Sequence, residues 1–349
     1  MSEGPTLGRR LLLSGLAATG AAFLPACTSS TSRAASGQPS SAATKSGASP
    51  AVSPSPTATP ATAASLPVTH PWQPTSSEVS PAVKLGAVRL LEAVLAWRPG
   101  GHGLAAARAP AAALGYDPRL ADQLAGLLTA APSAAVQVVD AQYGGILSAS
   151  SSVLVVLRQW LAGPTGSPAA SGGSVHPATA GGTTVDVRLV AATPSWRVTA
   201  LHPAAPGAPA TRLSSLAASL LAEPRLRLPV AAHADLRSGT ISTGVLTSLR
   251  GLTDRHVVDV SVVKSGHPLY VFGTSRRSDH PRGHAVDVWA VDGKAVVEPA
   301  NRALVESVMR LGIALGAYQV GGPVDLDGGG SRYFSDHTHH DHIHLGFHA

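Results

Sequence analysis

Residues 27–79 limit what this chain can fold into more than any other stretch. After Cys27 they are dominated by Ser, Thr, Ala and Pro. So few large apolar side chains cannot offset the entropy lost on folding, and the composition predicts a disordered tether. Folded structure is therefore expected from residue 80 onward. With 349 residues and 44% hydrophobic content, the remainder is long enough for two ordinary domains with their own cores.

Ahead of the tether stand Arg9-Arg10, an apolar run over 11–23, and Leu24-Pro25-Ala26-Cys27. The run is too short to cross a bilayer comfortably and ends in small residues, which is the pattern of an export signal. The paired arginines resemble a twin-arginine signal. Leu24-x-Ala26-Cys27 resembles the bacterial lipoprotein cleavage box. The resemblance implies a leader over 1–26, lipid on Cys27, and anchorage to the outer face of the cell membrane. An uncleaved short anchor is the alternative. Cys27 is the single cysteine, so no disulfide can form within the chain. The net charge of +6 comes without a Lys/Arg block or interleaved aromatics, so nucleic acid is not an expected partner. A mildly basic surface also suits an anionic polymer such as a bacterial cell wall.

Residues 80–222 read as an accessory α+β domain. Ser80 can cap a helix with Pro81 in its first turn, and Val83, Ala87, Leu90, Leu91 and Val94 follow at helical spacing. A shorter helix is predicted over 118–128. The pattern then alternates, predicting four strands within 134–147, 151–161, 183–193 and 195–203. Helices followed by a curled antiparallel meander resemble, in architecture, cystatin-like cone domains. His102 and His202 have no partners in the sequence and read as surface or packing residues.

Residues 223–349 read as a second α+β domain. Residues 226–239 suggest a strand and turn, 242–255 a helix capped by Ser242 or Thr243, 256–266 a strand, and 284–297 a strand pair around Asp292-Gly293. Residues 301–317 suggest a helix capped by Asn301 and ended by Gly316, and 341–347 a last strand. On that strand His342 and His344 share one face, while Ile343, Leu345 and Phe347 take the other. His280 and Asp287 lie in Ser278–Trp289, where Gly283 permits a tight bend. Two histidines and a carboxylate leave one position open, as in a catalytic zinc site.

Ser278-x-His280-x-x-Gly283-x-Ala285-x-Asp287, with the later Asp341-His342-Ile343-His344, resembles the zinc D-Ala-D-Ala carboxypeptidase, L-alanyl-D-glutamate endopeptidase and hedgehog-like superfamily. The resemblance covers roughly the last third of the chain. It implies one zinc ion on His280, Asp287 and His344. It makes Asp341 the general base and His342 a residue that helps hold the oxyanion or substrate, with His339 a further candidate nearby. Peptidoglycan peptides become the substrate. A regular strand would turn Asp341 away from His344, in which case His342 inherits the base role. Where such peptidases usually carry Ser-Gly-Tyr-Arg, this chain has Ser265-Gly266-His267-Pro268. Arg276 and Arg277, with Ser278, are then the substrate-binding candidates. That departure keeps a non-hydrolytic peptide- or partner-binding pseudo-peptidase open beside the enzyme. Metal scavenging by the His-rich tail is a third alternative. His284, His340 and His348 are expected outside the ligand set.

Overall fold

A computed structural model describes residues 66–163, 179–193 and 195–348. The leader, Cys27 and most of the expected tether lie outside these residues. Among the described residues no helix is long and apolar enough to cross a membrane.

The chain forms a mixed α+β protein with two hydrophobic clusters. The first begins with helix α1 (Pro81–Leu95), whose apolar stripe of Val83, Ala87, Leu90, Leu91 and Val94 is buried. Pro81 occupies the first turn as expected, but the Ser80 side chain makes no capping bond. Instead the Ser80 carbonyl accepts from the Tyr143 hydroxyl at 2.8 Å. Helix α2 (Leu104–Ala113), which the periodicity did not announce, is followed by a 3-10 helix at Pro118–Leu127. Strands β1 (Ala134–Ile146), β2 (Ser150–Leu161), β3 (Thr179–Ala191) and β4 (Trp196–Pro203) make an antiparallel meander in chain order. Their inward side chains pack on α1.

Ordered packing starts before residue 80, because Trp72 joins this first cluster and its backbone N–H donates to Glu92. The far boundary also moves. Helix α3 (Ser215–Leu221) buries Ala217 and Leu220 in the second cluster, so the seam falls ahead of that helix rather than at 222.

The second cluster lies around a mixed sheet ordered β10-β9-β11-β7-β6-β5. Its strands are β5 (Leu226–Arg227), β6 (Val258–Val262), β7 (Ala285–Val291), β8 (Lys294–Ala295, on the edge of β7), β9 (Gln319–Gly321), β10 (Tyr333–Phe334) and β11 (Ile343–Gly346). Asp292 and Gly293, both at positive φ, close the β7–β8 hairpin. The segment read as strand and turn after β5 is helix α4 (Val230–Arg237). Pro229 starts it, and its buried Ala231, Ala232, Asp235 and Leu236 follow helical rather than alternating spacing. Helix α5 (Thr243–Thr253) is capped by Ser242, which accepts from the Val245 N–H. Helix α6 (Arg302–Ala314) follows Asn301, but that side chain donates to the Ala295 carbonyl instead of capping.

Candidate metal centre and cleft

Pairing of β7 with β11 sets Asp287 directly opposite His344. Opposed residues of an antiparallel pair send their side chains off the same face. Ile343, Leu345 and Phe347 anchor the other face of β11 in the core, as the alternation predicted. His280 arrives from a short 3-10 turn (His280–Arg282) closed by Gly283 at φ 74. A side chain at Gly283 would collide with the Thr240 carbonyl, so the bend that folds His280 over β7 needs glycine twice over.

These three residues converge on one point. His280 Nε2 lies 3.1 Å from Asp287 Oδ1 and 3.1 Å from His344 Nδ1, and the latter two atoms are 2.9 Å apart. Tetrahedral ligands about 2.0–2.1 Å from a zinc ion stand about 3.3–3.4 Å from each other, so small side-chain shifts make this triangle a ligand face. Protonation favours the same use. His280 Nδ1–H donates to the Val263 carbonyl at 2.9 Å, which leaves the Nε2 lone pair for the site. Burial, reinforced by His280, pushes His344 down to about 4, so it is neutral near pH 7. Burial alone would raise Asp287, but the neighbouring His280 and His342 outweigh it and hold the carboxyl well below its usual range.

His267 also lies within ligand range of His280 and Asp287. Its ring, however, stacks on His280 with centroids 4.1 Å apart and planes inclined by only 16°. An imidazole binds a metal in its own plane, and two nearly parallel planes do not converge on one ion. His267 instead buttresses His280 and faces the Pro268 carbonyl and the Ser278 hydroxyl.

A second group, Glu78, His340 and Asp341, already contains its cation: Lys84 Nζ sits 2.5 Å from Glu78 and 2.7 Å from Asp341. Asp341 is thus fully engaged. Its Oδ2 takes the Lys84 ammonium and the Tyr143 N–H, and its Oδ1 pairs with His342 Nδ1 at 2.7 Å. The other ring nitrogen of His342 faces Asp287, 3.8 Å from its Oδ2. The geometry therefore turns His342, not Asp341, toward Asp287. Burial opposes its charge, but Asp287 and Asp341 together raise His342 to about 9. A bound dication would neutralise Asp287 and remove one of those two supports.

The site opens into a cleft of ≈ 590 Å³ lined by His267, Arg276, Ser278, His339, His342 and His344, among others. Another part of its wall is the C-terminal end of β1 and the residue after it, Tyr143 to Leu147. Ser278 is buried and accepts from the His280 N–H at 3.3 Å, so it braces His280 as well as lining the cleft. Arg276 is exposed on the cleft rim. Arg277 is not among the lining residues; its backbone bridges to Tyr270. His339 pairs with Asp336 at 2.8 Å and sets its ring 5.1 Å from His342 and 5.7 Å from His344. His340 binds Glu78 and His348 stacks on Tyr318, which leaves both outside the ligand triangle. His284 does not line the cleft.

Four contributors were not read from sequence: His267, Gln142, Tyr143 and Lys84. Lys84 had left a trace, since it shares the i, i+4, i+7, i+11 stripe of Val88, Leu91 and Leu95, where a lone charge needs a buried partner. Gln142 donates to Asp287 Oδ2 at 2.7 Å across the domain seam, which local periodicity does not reveal.

No protein-family model, curated protein or solved structure matches this chain.

Proposed function

We propose that the C-terminal domain has the hedgehog-like peptidase fold and hydrolyses peptide bonds of peptidoglycan stem peptides with one zinc ion held by His280, Asp287 and His344. The observation that carries this reading is the triangle of three donor atoms, 2.9–3.1 Å apart, at the base of an open cleft. A zinc ion held there supplies Lewis-acid polarisation of a carbonyl and a water of lowered pKa. The chain's own residues do the rest. His342, in its neutral form, takes the proton of the attacking water on Nε2 and returns it to the leaving amine. Asp341 holds the opposite nitrogen and orients the ring, as the third group of a triad does. Lys84 keeps Asp341 ionised for that role. Arg276 on the rim offers a cation to a substrate carboxylate, and His339 stands beside the reacting groups. Lipid on Cys27 would tether the cleft near the outer face of the membrane, within reach of the wall.

The full engagement of Asp341 also favours a second reading, a pseudo-peptidase that binds zinc and wall peptides without cutting them. Digestion of purified peptidoglycan in the presence of zinc separates the two. The enzyme reading expects peptide fragments from the wild type and a loss of about 10³-fold or more with His344→Ala. Equal release by both proteins would contradict hydrolysis at this site. Stoichiometric zinc with no release would favour the pseudo-peptidase.

A further inference from the structure

We propose that Gln142, on β1 of the accessory domain, is a positioning residue for the metal centre: it confines Asp287 to one ligating oxygen. The accessory domain is thereby part of the site and not an appendage to it. This rests on the metal reading above.

The Gln142 side chain is 1% exposed, and both ends of its amide are used by the other domain. Its Nε2 donates to Asp287 Oδ2 at 2.7 Å. Its Oε1 accepts from the hydroxyl of Ser261, which is itself fully buried on β6. The amide has one workable orientation, because reversing it would set a carbonyl oxygen against the Asp287 carboxylate. Asp287 Oδ1, meanwhile, is the oxygen shared with His280 and His344. A carboxylate with both oxygens free can grip a cation through two atoms or rotate between them. With Oδ2 held by the amide, one oxygen remains for the ion. Groups that orient ligands in this way are worth about 10–100-fold in metal affinity.

The approach of β1 is built for this contact. The strand bulges between Tyr143 and Gly145, immediately after Gln142. A side chain at Gly145 would drive into Phe272, so glycine lets the strand lie against the cleft wall. The neighbouring Tyr143 N–H donates to Asp341 at 3.0 Å. Adjacent residues of one accessory strand thus hold both a metal ligand and the partner of His342.

The test uses the full chain with Gln142→Leu, Ser261→Ala and Gln159→Leu. Gln159 is a control, because it is also buried in the accessory sheet but donates to the Leu95 carbonyl. Zinc affinity is read by chelator competition, and the cobalt(II)-loaded protein by its visible absorption. Gln142→Leu is expected to bind zinc about 10–100-fold more weakly and to shift and weaken the cobalt bands. Ser261→Ala, which frees the amide without removing it, is expected to move both readouts in the same direction by less. It carries the prediction if Gln142→Leu does not fold. Wild-type affinity and spectrum in the Gln142 and Ser261 variants would overturn the proposal alone, as would an equal loss in Gln159→Leu. A wild-type chain that binds neither metal would overturn the metal reading and this inference together.

Discussion

Lys84 and Asp341 are 257 residues apart in sequence and 2.7 Å apart in space, with side chains only 1% and 3% exposed. Removing one member of such a pair strands a buried charge, so Lys84→Met is expected to cost about 3–5 kcal/mol in urea unfolding at pH 7. The pH dependence has a definite sign. Burial alone would raise Asp341, but Lys84 and His342 hold it below its ordinary value of 3.8, so its contribution is present above that pH and fades as pH falls. Burial alone would lower Lys84, but Asp341 and Glu78 hold it above 10.5, so its contribution is present below that pH and fades as pH rises. The gap between wild type and variant should therefore be widest between these limits and shrink at pH 3; a gap independent of pH would contradict the pairing. The convergence of His280, Asp287 and His344 was foreshadowed at this scale by two short patterns and by strand parity. Strand parity already offered an Asp341 turned away from His344, but its partners Lys84 and Tyr143 could not be read, because they lie far away in the sequence.

At the scale of elements, alternation and spacing read well wherever a single face decides burial. β1 keeps that alternation over its first half, whereas β2, β7 and β11 are buried along nearly their whole length on both faces and were legible as short apolar runs instead. Reading failed where a short segment carries Ala, Val and Leu in both periods, as in α4, and where a capping residue found a better partner, as Asn301 did with the Ala295 carbonyl. The turn that delivers His280 can be tested directly. Gly283 has φ 74, and a Cβ there would collide with the Thr240 carbonyl oxygen. The backbone conformation alone costs a non-glycine residue about 1–2 kcal/mol, and the collision adds to it. Gly283→Ala is expected to lower stability by more than that amount and to weaken zinc binding, read by thermal unfolding and chelator competition. A variant with unchanged stability would show that the bend is not needed.

At the scale of the molecule, the elements around the two hydrophobic clusters share one cleft. The C-terminal domain provides the three donor atoms and His342; the accessory domain provides a wall, the hydrogen bond to Asp287 and the counter-charge to Asp341. Composition predicted two folded regions but not this sharing, since the seam runs through side chains far apart in sequence. The most direct test of the central claim is anomalous scattering at the zinc edge from crystals of the zinc-loaded full chain. One ion bonded to His280 Nε2, Asp287 Oδ1 and His344 Nδ1 is the predicted result. No ion there, or an ion held instead by Glu78, His340 and Asp341, would contradict it.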